Sequence, residues 1–167
     1  MTGGGSVLRW GAPRWARWHH ADVTRPVEKS RVGKENHNVS AEQNKALVRR
    51  EQEELWNHTG NLDAAEELFA PEHAEAARQE AADFHRGFPD VVSTIEDLIA
   101  EGDKVVARWS ARATHRGEYE GVPPTGKAVE FTGISVYRID GDRIAESWTV
   151  EDELGLMRQI GAVPEPG

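Results

Sequence analysis

No cysteine occurs anywhere in the chain. That excludes disulfides, thiolate metal sites and a cysteine nucleophile, and it suits a reducing compartment, so a cytoplasmic location is expected. No run approaches the roughly 20 apolar residues that cross a bilayer. The first residues also lack the apolar centre of a secretory signal, and no membrane partner is expected. Basic side chains are scarce: 20 Lys and Arg stand against 29 Asp and Glu, a formal charge of −9. A phosphate-tracking surface needs the opposite balance, so no nucleic-acid partner is expected either. The glycines form neither G-x-G-x-x-G nor G-x-x-x-x-G-K-[ST], which removes the phosphate-cradling loops. His58, His73 and His85 show no metal-ligand spacing with one another, and no metal is expected.

What is present suits one domain with one sizeable core: 167 residues, 38% of them apolar. Charge is unevenly spread. Residues 1–40 carry seven basic side chains against three acidic ones, a local +4 that leaves −13 for the remainder. This leader contains Arg9-Trp10, Arg14-Trp15 and Arg17-Trp18 and has no sustained helical or strand period. It reads either as a disordered extension or as an arm that touches an anionic surface.

From residue 41 the pattern sharpens. Ser40-Ala41-Glu42-Gln43 is a capping box, and Ala46, Leu47, Val48, Leu55 and Trp56 fall near one helical face. Gly60 suits the left-handed position after that helix. A short second helix carries Leu62, Ala65, Leu68 and Phe69 and is expected to stop at Pro71. Residues 72–87 predict a third helix, with Ala77, Ala81, Phe84 and Phe88 on its buried side and Pro89 ending it. Strands are predicted for 91–100, 104–115, 129–139 and 143–151, with turns at Glu101-Gly102-Asp103 and Asp140-Gly141. Asp152 caps a last short helix ending at Gly161. Helices followed by an antiparallel meander give an α+β domain over residues 41–163 with a tail at 164–167. A curved sheet roofed by helices leaves a cone-shaped cavity for a small ligand.

Several stretches then carry a resemblance. They are Gly87-Phe88-Pro89-Asp90, Ile95 to Asp103, Thr114 to Tyr119, Gly121-Val122-Pro123-Pro124-Thr125-Gly126, Tyr137 to Gly141, Ile144 to Trp148, and Asp152 through Gly161. In order and spacing this set resembles the SnoaL-like polyketide cyclase and ester cyclase family of the NTF2-like superfamily, from about Glu42 to Gly161. The resemblance implies an NTF2-like cone: a curved, mostly antiparallel sheet covered by N-terminal helices, often dimeric, with neither metal nor organic cofactor. It also implies a cavity ligand that is a small hydrophobic or polyketide-like molecule, and an intramolecular aldol closure driven by an aspartate base with a histidine assisting. Aligned without gaps from Asp140-Gly141 to Gly161, that aspartate falls on Thr149 and the histidine on Ser135. Relatives also place an extra strand and a Gly-Pro loop between Pro71 and Phe88, where this chain has alanine-rich helix.

If Ser135 and Thr149 face the cavity, strand parity brings Phe131, Gly133 and Tyr137 with the first, and Ser147 and Glu151 with the second. Trp56, Phe84 and Phe88 turn toward the sheet as core and pocket lining. Glu151 is the expected displaced base. His115 either moves protons or only ties the strand end to the proline loop. Glu146 and Trp148 fall on the opposite face. Two functions follow: a cofactor-independent cyclase, isomerase or hydrolase acting on a polyketide-like or ester substrate, or, because Thr149 and Ser135 replace the acid and the histidine, a non-catalytic small-molecule-binding or dimerisation module.

Overall fold

The computed structural model describes residues 37–57 and 60–164. The Arg/Trp leader through residue 36, His58, Thr59 and the last three residues lie outside the described residues. The element order is α1 (His37–Arg50) running into a π-helical segment (Glu51–Trp56), then α2 (Ala64–Leu68) and α3 (Pro71–Gly87). β1 (Val92–Glu101), β2 (Lys104–Thr114), β3 (Ala128–Asp140), β4 (Arg143–Glu151) and α4 (Glu153–Ile160) follow. The four strands pair in chain order as an antiparallel meander. Gly102 and Gly141 close the two tight turns, while a longer loop over residues 115–127 joins β2 to β3.

Helix α1 begins at His37, three residues before the expected Ser40 cap. No glycine or proline interrupts residues 37–40, so the backbone continues through the capping box. Pro71 does not stop α2, which has already ended at Leu68. It opens α3, where its missing N–H costs nothing and its fixed φ favours the first turn. Gly60 takes the left-handed conformation (φ 47°), but three residues beyond the extended C-cap Asn57.

The core lies between the helices and the concave face of the sheet. Ala74, Ala77, Ala81, Phe84 and Gly87 recur at helical spacing along α3 and are all buried. From the sheet, alternate residues of β2 (Val105, Ala107, Trp109, Ala111, Ala113) and of β3 (Val129, Phe131, Gly133, Ser135, Tyr137, Ile139) face them. Helix α3 packs chiefly against α2 and the π-helical segment, and the aromatics fill the space beside it. Register shifts between Ile95 and Asp97 and between Arg138 and Ile139 add local bends. Helix α4 closes one end. Asp152 caps it by accepting from Gly155 N at 2.9 Å, and Gly161 (φ 88°) terminates it. Gln159 exchanges two hydrogen bonds with the Glu130 backbone, fastening α4 to β3.

Candidate active site

The helical roof and the sheet enclose an open-sided cavity of about 700 Å³. Trp56, Phe84, Phe131, Ser135, Tyr137, Ser147, Thr149 and Glu151 all line it. Ser135 is deeply buried (3% exposed), whereas Thr149, on the edge strand β4, reaches the cavity from its exposed rim. The two hydroxyls lie 2.8 Å apart, as their pairing across β3 and β4 requires.

Three expected positions differ. Phe88 is wholly buried behind the wall, its ring 5.0 Å from that of Phe84 and 4.9 Å from that of Tyr119. It ends α3 after the helix has passed the cavity, so its ring faces the loop after β2. His115 also does not reach the cavity. It is 0% exposed, with its ring 5.4 Å from that of Phe88 and its Nδ1 3.0 Å from Thr125 Oγ1. Its backbone bonds Lys127 O and Gly126 N. Burial lowers its pKa, opposed by the Gly117 backbone. It therefore ties the strand end to the proline loop. Trp148, expected on the outer face, borders the cavity together with Val150, because the opening runs past the edge strand and exposes both parities there. Glu146 does sit outside, paired with Arg138 at 2.6 Å.

The residue that patterning missed is Glu51. It belongs to the same apolar stripe as Leu47, Val48 and Leu55, three or four positions from each, and an acid in that stripe is the signal that could have found it. Glu51 is 2% exposed and lines the cavity from its helical side. The helix widens to π geometry at this point, and residues five apart become neighbours. Trp56 Nε1 consequently donates to Glu51 Oε1. Tyr137 OH donates to Oε2 at 3.2 Å. Gln52 donates to Ser93 Oγ, and Asn57 Oδ1 accepts from Ser93 N at 2.6 Å, so the π segment is pinned to β1.

Burial pushes the Glu51 carboxyl up to about 7; the Trp56 and Tyr137 hydrogen bonds oppose this and the Glu80 charge reinforces it. Tyr137 is held well above its ordinary value by burial first and the Glu51 charge second, so its phenol stays protonated. Five acids border the cavity (Glu51, Glu80, Glu120, Glu151 and Glu153), and no Lys, Arg or His is among its lining residues. That electrostatic character disfavours an anionic ligand and suits a neutral one. Among the described residues no group of three His, Cys, Asp or Glu side chains could hold a metal ion, and no helix is long and apolar enough to cross a membrane.

Comparison with known proteins agrees with this architecture. The model of the SnoaL-like polyketide cyclases matches residues 46–160. A candidate polyketide cyclase from Acidithiobacillus ferrooxidans is 28% identical, with a TM-score of 0.65 over 73% of this chain and 96% of that one. IdmH, a candidate polyketide cyclase from Streptomyces antibioticus, is 30% identical, with a TM-score of 0.60 over 71% and 99%. TsrD from Streptomyces laurentii is 27% identical, with a TM-score of 0.65 over 71% and 98%. No curated protein matches the sequence. On the family match and the shared cone, the chain belongs to the SnoaL-like polyketide cyclase family.

Proposed function

We propose that this chain is a cofactor-independent cyclase that enolises an uncharged polyketide-like or ester substrate in its cavity, with Glu51 as the proton acceptor. The single observation that supports this reading is the buried Glu51 carboxyl, bonded by Trp56 and Tyr137 and raised to about 7. A carboxylate of that basicity is matched to proton transfer at neutral pH. It stands in for the acid that Thr149 replaces.

In the proposed sequence, a Glu51 oxygen takes a proton from carbon α to a carbonyl. The C–H electrons pass into that carbonyl as an enolate. The enolate carbon attacks a second carbonyl of the same molecule, a C–C bond forms, and the resulting alkoxide recovers the proton from Glu51. Atoms and electrons balance without an oxidant or a cofactor. Tyr137 and Trp56 position the carboxylate, the aromatic walls orient a flat apolar substrate, and Glu151 at the rim helps to keep anionic molecules out.

The test uses 2-tetralone, a bicyclic ketone with a benzylic α-carbon, and follows deuterium exchange at that carbon by NMR. Wild type should accelerate exchange, and Glu51→Gln should lower the acceleration by about a hundredfold or more. Exchange unchanged in Glu51→Gln, with binding intact, would leave a non-catalytic binding module as the better reading. We also propose a homodimer through the outer sheet face, where Ile99 and Ile134 are 64% and 48% exposed. Sizing chromatography that gives only monomer would refute it.

A further inference from the structure

The hydroxyl pair at Ser135 and Thr149 has neighbours that give it a direction. Trp109 and Gly133 are cross-strand partners on β2 and β3. A Cβ at position 133 would collide with the Trp109 indole. The glycine therefore lets the ring lie across β3, and its Nε1 reaches Ser135 Oγ, two residues along, at 3.0 Å. Ser135 Oγ is 2.8 Å from Thr149 Oγ1. Two other ring donors that border the cavity, Trp56 Nε1 and Tyr137 OH, both point at Glu51.

We propose that Trp109, Ser135 and Thr149 form a one-way hydrogen-bond relay that ends in a Thr149 O–H aimed into the cavity, where it holds the oxygen of the carbonyl being enolised. The indole N–H has no acceptor capacity, so it can only donate. Ser135 Oγ accepts from the indole, and in the relay it gives its own hydrogen to Thr149 Oγ1, so that the Thr149 hydrogen is left for the ligand. Each link polarises the next. The acceptor this relay wants is a neutral carbonyl oxygen that gains negative charge in the reaction, as an enolate oxygen does.

The placement fits the chemistry. Ser135 and Tyr137 are two residues apart on one face of β3, roughly 7 Å along the strand. Thr149 bonds Ser135 and Glu51 bonds Tyr137, and all four line the same cavity, so a ketone held by Thr149 shares that cavity with the proton acceptor. The inference rests on the enolisation reading. It assigns Thr149 a direct contact and gives Ser135 and Trp109 the role of positioning residues.

The experiment titrates 2-tetralone, labelled with ¹³C at the carbonyl, into the full chain. The ¹³C resonance should move downfield on binding. The shift should survive in Thr149→Ser, which keeps the hydroxyl, and be lost in Thr149→Val, with α-proton exchange slowed about tenfold mainly in kcat. Trp109→Phe and Ser135→Ala should each reduce the shift, and Ser135→Ala should also move the Trp109 indole ¹⁵N–H signal. Glu51→Gln should keep the shift while losing exchange, which separates the two readings. Shift without exchange in wild type would overturn the role of Glu51 and support the relay. Exchange without the shift, a shift that persists in Thr149→Val, or no saturable binding of the probe would overturn the relay.

Discussion

Replacing Glu51 by Gln tests how this buried acid couples to folding. Its folded pKa of about 7 lies above the 4.5 of an ordinary glutamate. A raised carboxyl pKa means that the folded state holds its proton after the unfolded chain has released it. The Glu51 contribution to stability is therefore most favourable below pH 4.5, declines as pH rises, and has lost nearly the full amount once pH passes 7. At 1.36 kcal/mol for each pKa unit, the difference of about 2.5 gives a total near 3 kcal/mol, most of it between pH 5 and 7. Glu51→Gln keeps the shape and cannot ionise, so its stability should lack this component. Urea unfolding of both proteins from pH 5 to 8 measures it directly. The Gln variant should gain on wild type by about 2 to 3 kcal/mol across that range, near 10 °C in Tm for a domain of this size. Parallel stability curves would show that Glu51 ionises freely in the fold and would refute the argument from burial.

Further outcomes follow from the same packing. Phe84→Ala empties the centre of an aromatic cluster that includes Trp56, Phe88, Tyr119 and Phe131, and should cost about 3–5 kcal/mol in chemical unfolding. Gly133→Ala drives a methyl into the Trp109 indole and should cost about 1–3 kcal/mol while displacing the indole ¹⁵N–H resonance. Asp152→Ala removes the cap on Gly155 N and should cost about 1 kcal/mol in the same assay, with no effect on probe exchange. The rate of probe exchange should rise with pH through about 7 and then level off, because the carboxylate form of Glu51 is the acceptor.

Much of the fold was legible because its signals were periodic and local. The alternation Val105, Ala107, Trp109, Ala111 and Ala113 placed β2, and the Asp-Gly turn placed β4 with its bounds Arg143–Glu151. Parity along β3 also put Phe131, Ser135 and Tyr137 on one face. Where reading failed, a long-range or cooperative effect prevailed. Helical backbone ran through the Ser40 capping box from His37, and Pro71 served its own helix rather than ending the previous one. The site was harder. Parity says which face a residue takes but not where a cavity ends, so Phe88 and His115 fell behind its wall, and Trp148 came to border it because β4 is an edge. Glu51 escaped because acids on helices usually face solvent. Its burial depends on a π-helical widening and on Tyr137, 86 residues away.

The most direct test is a ¹³C NMR titration of the glutamate side-chain carboxyls, with Glu51 assigned by its loss in Glu51→Gln. A resonance with a midpoint near pH 7 is the expected result. A midpoint near the 4.5 of an ordinary glutamate would contradict a buried proton acceptor in the cavity.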